Sequence, residues 1–555
     1  MGNSSDLLNN LLEKRGISAD MREAFLVPSY ERDFHDPFLM RDMEKSCVRI
    51  FEAMEAKEKI LIFADYDCDG IPGAVILSDL FKLCGYENSL HGGQVEVYIP
   101  QRNSEGYGLN LAAIQEFAKN DVKLIITIDL GITAVAEVAQ AEVLGMDVII
   151  TDHHLPPAIL PRAYAILNPK CDEYVEKMLC GAGVAFKLAQ GFIKKYGEYF
   201  KIKEGAEKWL LDMAGLATLS DMVPLLGENR AIAHFGMKVL RKSPRPGLQK
   251  LLAKAKIDQK FLSEDDIGYM LTPRLNAASR MSDPRRAFEL LSAKEDSEAG
   301  ALAEHLSDIN DERKLMVAGI MREVNKKFSS SPVEEMREVI VIGNPAWRIG
   351  VLGLVAGKIT DTYKKPAFVW GRDENDIIKG SCRSDGTVSV VELMTASSEH
   401  FSAFGGHEGA GGFSVHNDKI HFLEDALSAS FMKAEKKVKE KNAAYDAKIN
   451  LADVNLRNYS ELEKLAPFGE GNPKPVFLFE GVKVEKIKKF GKATEHIELL
   501  LSDATGKGKA VSFFAGPESF SAPIAEGLPI NLLATFDLSR FAGRVELRLR
   551  ITDVV

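Results

Sequence analysis

Residues 59–85, KILIFADYDCDGIPGAVILSDLFKLCG, constrain this chain more than any other stretch. The apolar run 60–64 has the length and composition of a buried strand. It stops at Asp65, Asp67, Asp69 and Gly70, and an apolar helical pattern follows to Gly85. Three carboxylates on alternate residues at the carboxyl end of a central strand are electrostatically costly, and such a group is usually held by a cation. The competing reading is a polar strand-to-helix turn in which an Asp caps the helix. A single Asp fits that turn; three in DxDxDG favour a metal.

Strand and helix patterns then alternate: strands at 60–64, 95–99, 124–128 and 148–151, with helices to 85, near 111–118 and over 133–144. This alternation predicts an α/β fold with a doubly wound parallel sheet. Asp65, Asp129 and Asp152 each follow a strand, where such sheets place their ligands. Asp152 leads into His153 and His154; at a loop both rings can turn inward, and beside an acidic cleft they are preferred as ligands. Asp221 ends an apolar helix pattern over 209–218. It is either a helix terminator or a fourth carboxylate of the same cleft, and spacing alone does not choose.

Composition bounds the class. The chain has 555 residues, 46% hydrophobic and 27% charged, enough for about three or four domains with ample core. No apolar run is long enough to cross a bilayer, and the N-terminal residues lack a secretion or myristoylation pattern. Six cysteines stand singly with no CxxC pair, which argues against zinc ribbons and disulfide frameworks and fits a reducing cytoplasm. Net charge is −10, yet residues 448–555 carry 15 Lys and Arg against 14 Asp and Glu, leaving +1 there and −11 elsewhere. A nuclease needs local positive surface beside an acidic metal site, so the global sign decides little.

DYDCDG (65–70), TIDLGIT (127–133), TDHHLP (151–156) and LSDMVPL (219–225), in this order, resemble the DHH phosphoesterase superfamily. The similarity narrows to RecJ-type single-stranded-DNA exonucleases through PQRNSEGYGLN (100–110), LCGAGVAFKLA (179–189), PRLNAASRM (273–281), KGSCRS (379–384), GGHEGAGGF (405–413) and LAPFGEGNPKPVF (465–477). GAGVAF by itself is a glycine turn, not a dinucleotide fingerprint. Three positions depart from the family pattern: Phe63 where many superfamily members have His, Ser279 where Gly is expected, and Arg348-Ile349-Gly350 in place of a His-Pro-Gly stretch.

The resemblance implies a helical N-terminal extension (1–58), a DHH catalytic domain (59–245), a long helical connector (246–330), a DHH-associated α/β domain carrying GGH (331–435), and a charged helix followed by an OB-like β-barrel (436–555). Residues 1–58 are expected to buttress the sheet, 249–262 and 287–327 to be helices, and 432–448 a charged helix with a solvated face. Strand-like segments at 476–479, 482–487, 496–501, 510–514, 530–536 and 544–551 suggest the barrel.

The implied reaction is metal-assisted hydrolysis of single-stranded DNA from its 5′ end, in DNA repair and recombination, with a single-strand-binding protein and a repair helicase as partners and no membrane. The catalytic set is Asp67, Asp69, Asp129, His153, His154 and Asp221. Asp67 and Asp129 would serve one metal, and Asp69, Asp129, His153 and Asp221 the other, with Asp129 bridging; Asp65 is a nearby metal position. Carboxylate and imidazole without thiolate favour manganese or magnesium over zinc, and the family tips this to Mn2+ in a two-metal site. Arg102, Ser381 and Arg383 resemble a pocket for the 5′-phosphate, Arg280 holds a backbone phosphate, and Gly405, Gly406 and His407 form a phosphate nest. Tyr107 stacks a base or packs, and Phe490 with Lys488, Lys489 and Lys492 is a candidate contact patch on the barrel. The alternative is a DHH phosphodiesterase for short oligoribonucleotides or cyclic dinucleotides; a non-enzymatic scaffold would have lost metal ligands that are present here.

Overall fold

A computed structural model describes residues 4–86, 95–102, 104–329, 336–436, 445–491, 496–541 and 544–555. The chain divides into two compact units: residues 36–221 with 236–440, and residues 1–35 with 222–235 and 441–555.

The larger unit opens on a sheet of β1 (Lys59–Ala64), β2 (Val95–Tyr98), β3 (Val122–Ile128), β4 (Asp147–Thr151) and β5 (Ala165–Leu167). Its strands are all parallel, in the order β2-β1-β3-β4-β5. The three-residue β5 is too short to leave a periodic signal, so the sequence pattern omits it. β1, β3 and β4 are buried almost throughout, as parallel strands covered on both faces must be. Helices Gly70–Leu83 and Gly181–Tyr196 cover the sheet beside the site. Gly73 permits their close approach: a Cβ there would stand 2.5 Å from Ile128 and 3.3 Å from the Ala182 backbone.

The connector is more broken than its pattern suggests. The first helix is Pro246–Ala255, with proline in its first turn, and it ends where Lys256 turns left-handed. The second expected helix is two, Arg285–Ser292 and the 33-residue Asp296–Phe328, separated where Ala293 and Glu295 leave helical geometry. A second sheet follows, with β6 (Ile340–Gly343), β7 (Ala367–Arg372), β8 (Ile378–Arg383), β9 (Phe401–His407) and β10 (Ala410–Val415) in the order β6-β7-β8-β10-β9. Helix Ile349–Tyr363 packs on β7 and β8. The charged helix expected over 432–448 does not hold its bounds: helix Leu423–Lys433 stops at an extended Ala434, and Ala447–Lys448 pair as a strand. Residues 437–444 lie outside the described residues, as does Lys492.

The smaller unit is a barrel of β11 (Ala447–Lys448), β12 (Phe477–Phe490), β13 (His496–Ser502), β14 (Lys507–Ser512), β15 (Pro529–Phe541) and β16 (Arg544–Val554). Pairing of β12 with β15 closes a ring of five strands, β12-β13-β14-β16-β15. The two strands expected over 476–487 are one long strand with a register shift between Phe479 and Val482.

The N-terminal residues divide between the two units rather than all buttressing the sheet. Leu8, Leu11, Leu12 and Ile17 share one core with Phe477, Leu499 and Leu549 of the barrel, whereas helix Met43–Glu55 packs against helix Gly181–Tyr196. The Arg230 guanidinium lies 3.8 Å from the Phe25 ring centroid and donates to the carbonyls of Phe25, Leu465 and Ala466, which ties residues 222–235 to the barrel. Among the described residues no helix is long and apolar enough to cross a membrane.

Candidate active site

Each acidic side chain is set by the end of a strand or helix. Asp65 leaves β1 buried, its N–H donating to Ile128 O (3.1 Å). Asp67 has the bonds that the competing, capping reading describes: its Oδ1 accepts from the N–H groups of Asp69 (2.8 Å) and Gly70 (3.2 Å). Asp69 accepts from the first amides of helix Gly181–Tyr196, Gly181 N at 2.6 Å and Ala182 N at 2.7 Å, where the helix dipole favours a carboxylate. Gly181 is demanded by the approach of Asp129, because a Cβ would fall 2.4 Å from Asp129 Cβ.

Asp129, directly after β3, adopts a left-handed φ of 62°. Asp tolerates that region better than most residues, and strain of this kind collects at functional sites. The carbonyl of Asp129 accepts the Tyr107 hydroxyl (3.1 Å). His153 Nε2 lies 3.1 Å from Asp129 Oδ1 and 3.8 Å from both Asp69 Oδ2 and Asp221 Oδ2. Burial pushes the His153 imidazole down to about 3, so the ring is neutral and these contacts are converging ligand atoms rather than ion pairs.

Three groups of ligand atoms therefore assemble: Asp65, Asp67 and Asp129; Asp69, His153 and Asp221; and Asp129, His153 and His154. Asp129 joins the first group to the histidines. Burial and neighbouring carboxylates raise Asp69 to about 6 and Asp221 to about 9, and push Asp65 and Asp129 well above the usual carboxylate range. Asp65 Oδ1 and Asp129 Oδ1 are buried with no hydrogen-bond partner among the described residues. Orphaned carboxylate oxygens facing other carboxylates fit divalent cations, which supply both the missing partners and the missing charge.

Asp152, the third acidic strand end, is committed elsewhere. Its Oδ2 accepts from Ile132 N (2.9 Å), and its Oδ1 from His153 N, His154 N and His154 Nδ1 (2.7, 3.1 and 2.8 Å). Burial acts to raise Asp152, but the bond and charge of His154 outweigh it, and the carboxyl sits below its ordinary value. For His154, burial acts downward and Asp152 lifts the net value above the ordinary one. Asp152 thus fixes the His154 ring, a role the strand-end pattern does not reveal. Phe63 packs in the core against Tyr98 (ring centroids 5.2 Å apart), while Asp65 stands in the first ligand group.

The arginines form a second constellation. Burial and the charges of Arg102, Arg313 and Arg383 lower Arg280 to about 9, and burial with Arg102 lowers Arg383. Arg102 stacks 5.0 Å from the Tyr66 ring, Arg280 Nη1 donates to Gly350 O (3.1 Å), and Arg383 Nη1 donates to Cys382 O (2.8 Å). Arg313, on helix Asp296–Phe328, is a further member to which sequence reasoning assigns no role. Clustered guanidiniums that depress one another describe a site for an anion. Ser381 Oγ and Arg383 Nη2 stand 3.6 and 3.0 Å from the position a Cβ on Gly353 would take, which places them together. Arg348 Nη2 donates to Met281 O (2.7 Å), so the Arg348-Ile349-Gly350 departure docks on the end of helix Thr272–Met281. Ser279 is buried there with its hydroxyl on Asn276 O.

Gly405, Gly406 and His407 lie on β9, paired along β10, and not in the turn that a phosphate nest requires. β9 is the edge of its sheet, so one side of its backbone stays open. The His407 ring lies parallel to His154 (8°, centroids 6.3 Å apart), which brings this motif to the His153-His154 pair.

On the barrel, Phe490 contacts Phe513 and His496, Lys488 pairs with Glu498 (3.1 Å), and Arg550 lies 4.3 Å from the Phe513 ring. Phe514 is 81% exposed beside them.

A parallel sheet presenting DxDxDG, a strand-end Asp and a His-His pair defines a DHH-type phosphoesterase, and residues 59–218 match the DHH family, N-terminal domain. Residues 337–438 match the DHHA1 domain and residues 445–553 the RecJ OB domain. The chain is 34% identical over 556 aligned residues to the single-stranded-DNA-specific exonuclease RecJ of Bacillus subtilis, spanning 99% of this chain and 67% of that protein. It is 30% identical to RecJ of Escherichia coli, over 78% of this chain and 77% of the relative. The fold superposes on RecJ of Thermus thermophilus, solved with Mn2+, at a TM-score of 0.82 and 24% identity, covering 99% of this chain and 76% of the other; that protein has also been solved with Mg2+. The chain belongs to the RecJ family of single-stranded-DNA-specific exonucleases.

Proposed function

We propose that the protein is a metal-dependent exonuclease that hydrolyses single-stranded DNA from its 5′ end and releases nucleotides. The observation that carries this reading is the adjacency of two ligand groups joined through Asp129 to an arginine cluster, in which Arg102, Arg313 and Arg383 lower Arg280 while the metal-site carboxylate Asp67 acts the other way. Asp65, Asp67 and Asp129 are suited to one divalent cation, and Asp69, His153 and Asp221 with Asp129 to the other. Carboxylate oxygens with one imidazole suit Mn2+ or Mg2+, and the Thermus thermophilus relative has been solved with each; the family resemblance is the ground on which manganese is proposed. Bound there, the cations lower the pKa of water and neutralise charge on the phosphodiester.

The protein groups do the rest. Arg102, Ser381 and Arg383 hold the terminal 5′-phosphate and Arg280 a backbone phosphate, which sets the first internucleotide phosphate at the carboxylates. Water adds to that phosphorus, the P–O3′ bond breaks, and the 3′-oxygen takes a proton. His154, fixed through Nδ1 by Asp152 and raised in pKa, is placed to donate it. The products are a 5′-mononucleotide and a strand with a new 5′-phosphate, so each turn regenerates the end that the arginines recognise. The edge strand bearing Gly405, Gly406 and His407 lines the substrate path, and the barrel's aromatic and basic cluster binds the strand by stacking and charge.

The family setting adds DNA repair and recombination in the cytoplasm, with a single-strand-binding protein and a repair helicase as partners. The small-substrate alternative leaves the barrel without a purpose. A 5′-phosphorylated strand labelled at its 3′ end decides the polarity. A ladder of shortening labelled fragments, absent with Asp67→Ala, supports the proposal. Immediate release of labelled mononucleotide refutes it.

A further inference from the structure

Helices Asp296–Phe328 and Ile349–Tyr363 line between them an open cavity of about 630 Å³ with Arg383 in its wall. Its two ends are identified by contacts. Gly353 stands beside Arg383 and Ser381, and the Tyr363 hydroxyl donates to Asn325 (3.0 Å) at the other end. The connector helix lines it from Arg313 to Asn325, roughly 18 Å at 1.5 Å per residue. The cavity therefore starts at the proposed terminal-phosphate subsite and continues well beyond what one phosphate fills.

Its chemistry is that of an anion site with an apolar floor. Val317, Met321 and Leu354 supply the floor. The groove is open at Gly357, where a Cβ would meet nothing within 4 Å, and a Cβ at Gly353 would press on the Arg383 guanidinium at 3.0 Å. Five cations line it against one carboxylate, Asp361. Lys314 is engaged by Asp311 (2.9 Å) outside the lining. Arg313 Nε is buried without an acceptor among the described residues; burial and Arg274 lower this guanidinium, and Asp311 acts the other way. Arg322 and Lys358 are exposed, and no carboxylate pairs with them among the described residues. Both cations are therefore available to an anion in the groove.

We propose that this cavity is a subsite for the additional phosphates of a polyphosphorylated 5′ end, so that the enzyme accepts a 5′-triphosphorylated single strand. This rests on the terminal-phosphate reading of Arg102, Ser381 and Arg383. Lys358, five residues past Gly353 and thus about 7.5 Å along the helix, meets the outer phosphates, with Arg322 beyond it. The reaction is unchanged in kind. Water adds at the first internucleotide phosphorus, the P–O3′ bond breaks, the 3′-oxygen is protonated, and the first product is a deoxynucleoside 5′-triphosphate instead of a monophosphate.

The test uses the full chain and one oligonucleotide sequence carrying a 5′-hydroxyl, 5′-monophosphate or 5′-triphosphate. Binding is measured by anisotropy without metal, and first products by chromatography with Mn2+. The wild type should bind the triphosphate at least as tightly as the monophosphate and release a nucleoside triphosphate. Lys358→Gln with Arg322→Gln should lose about tenfold for the triphosphate, as expected for lost charge-assisted bonds, while the monophosphate stays within about twofold. Rejection of the triphosphate by the wild type, or equal losses for both ends in the double variant, overturns the inference. Equal wild-type binding of hydroxyl and monophosphate ends overturns the terminal-phosphate reading, and the inference with it.

Discussion

Replacing Gly181 with alanine tests how tightly the site is assembled. The added Cβ would lie 2.4 Å from Asp129 Cβ and 2.8 Å from its Cα. Carbon atoms rest at about 3.5–4.0 Å, so the helix end and Asp129 must separate by about 1 Å. Neither side is a flexible tip: one is the Asp129 backbone and the other is the helix terminus that gives Asp69 two N–H bonds. The displacement parts Asp69 from Asp129, the two carboxylates that flank His153. Misplacement of this size costs about 100-fold in turnover, and overpacking costs about 1–3 kcal/mol of stability. Initial rates on a 5′-phosphorylated strand with Mn2+, beside circular dichroism, measure both. Gly183→Ala is the control two residues on. Its Cβ meets nothing nearer than 3.5 Å, and alanine favours the helix, so activity should stay within about twofold. Gly181→Ala retaining more than about a third of wild-type turnover would refute the close-approach argument.

Other consequences follow from the same geometry. In metal-free protein Asp69 and Asp221 titrate above their unfolded value, so their stabilising contribution is complete below about pH 4 and is lost as pH rises through about 6 and about 9. The melting temperature in chelator should fall between about pH 5 and about pH 8.5 while the gain from Mn2+ widens; a flat or rising metal-free profile would count against the repulsion. Asp152→Ala frees His154 and strips the loop of four bonds, so turnover should drop by about 100-fold with Mn2+ affinity reduced less; an unchanged rate would remove His154 from the proton-donor role. Phe514→Ala, on an 81% exposed ring, should weaken binding of long single strands by about fivefold or more and leave cleavage of a short oligonucleotide unaltered; equal effects on both would contradict a guiding role for the barrel.

The acidic site was largely legible because three strand ends carry their chemistry in local sequence: DYDCDG, TIDLGIT and TDHHLP each pair an apolar strand with a carboxylate at its carboxyl end. Asp221 was different. A helix terminator and a fourth carboxylate look alike in sequence, and only the tertiary contact with His153 separates them. Asp152 shows the converse, since its strand-end position matches that of Asp65 and Asp129 while its four hydrogen bonds turn it to holding the loop. GGHEGAGGF reads as turn-like glycine, yet pairing with β10 makes residues 405–407 an edge strand. Non-local packing also decided the N-terminus: Leu8, Leu11 and Leu12 show helical spacing, but nothing local says that their apolar face meets the barrel, some 460 residues away. Removing residues 448–555 would strip those leucines of their core, so point substitutions on the barrel surface separate binding from folding better than truncation does.

Asp129 is the proposed carboxylate shared by two cations. Equilibrium Mn2+ binding followed by electron paramagnetic resonance measures this most directly. The wild type should bind two Mn2+ per chain and give an exchange-coupled spectrum, as ions about 3.5–4 Å apart do. Asp221→Asn should weaken one ion only, and Asp129→Asn should weaken both and abolish the coupling. A single uncoupled Mn2+ in the wild type, or two coupled ions surviving in Asp129→Asn, would contradict the shared site.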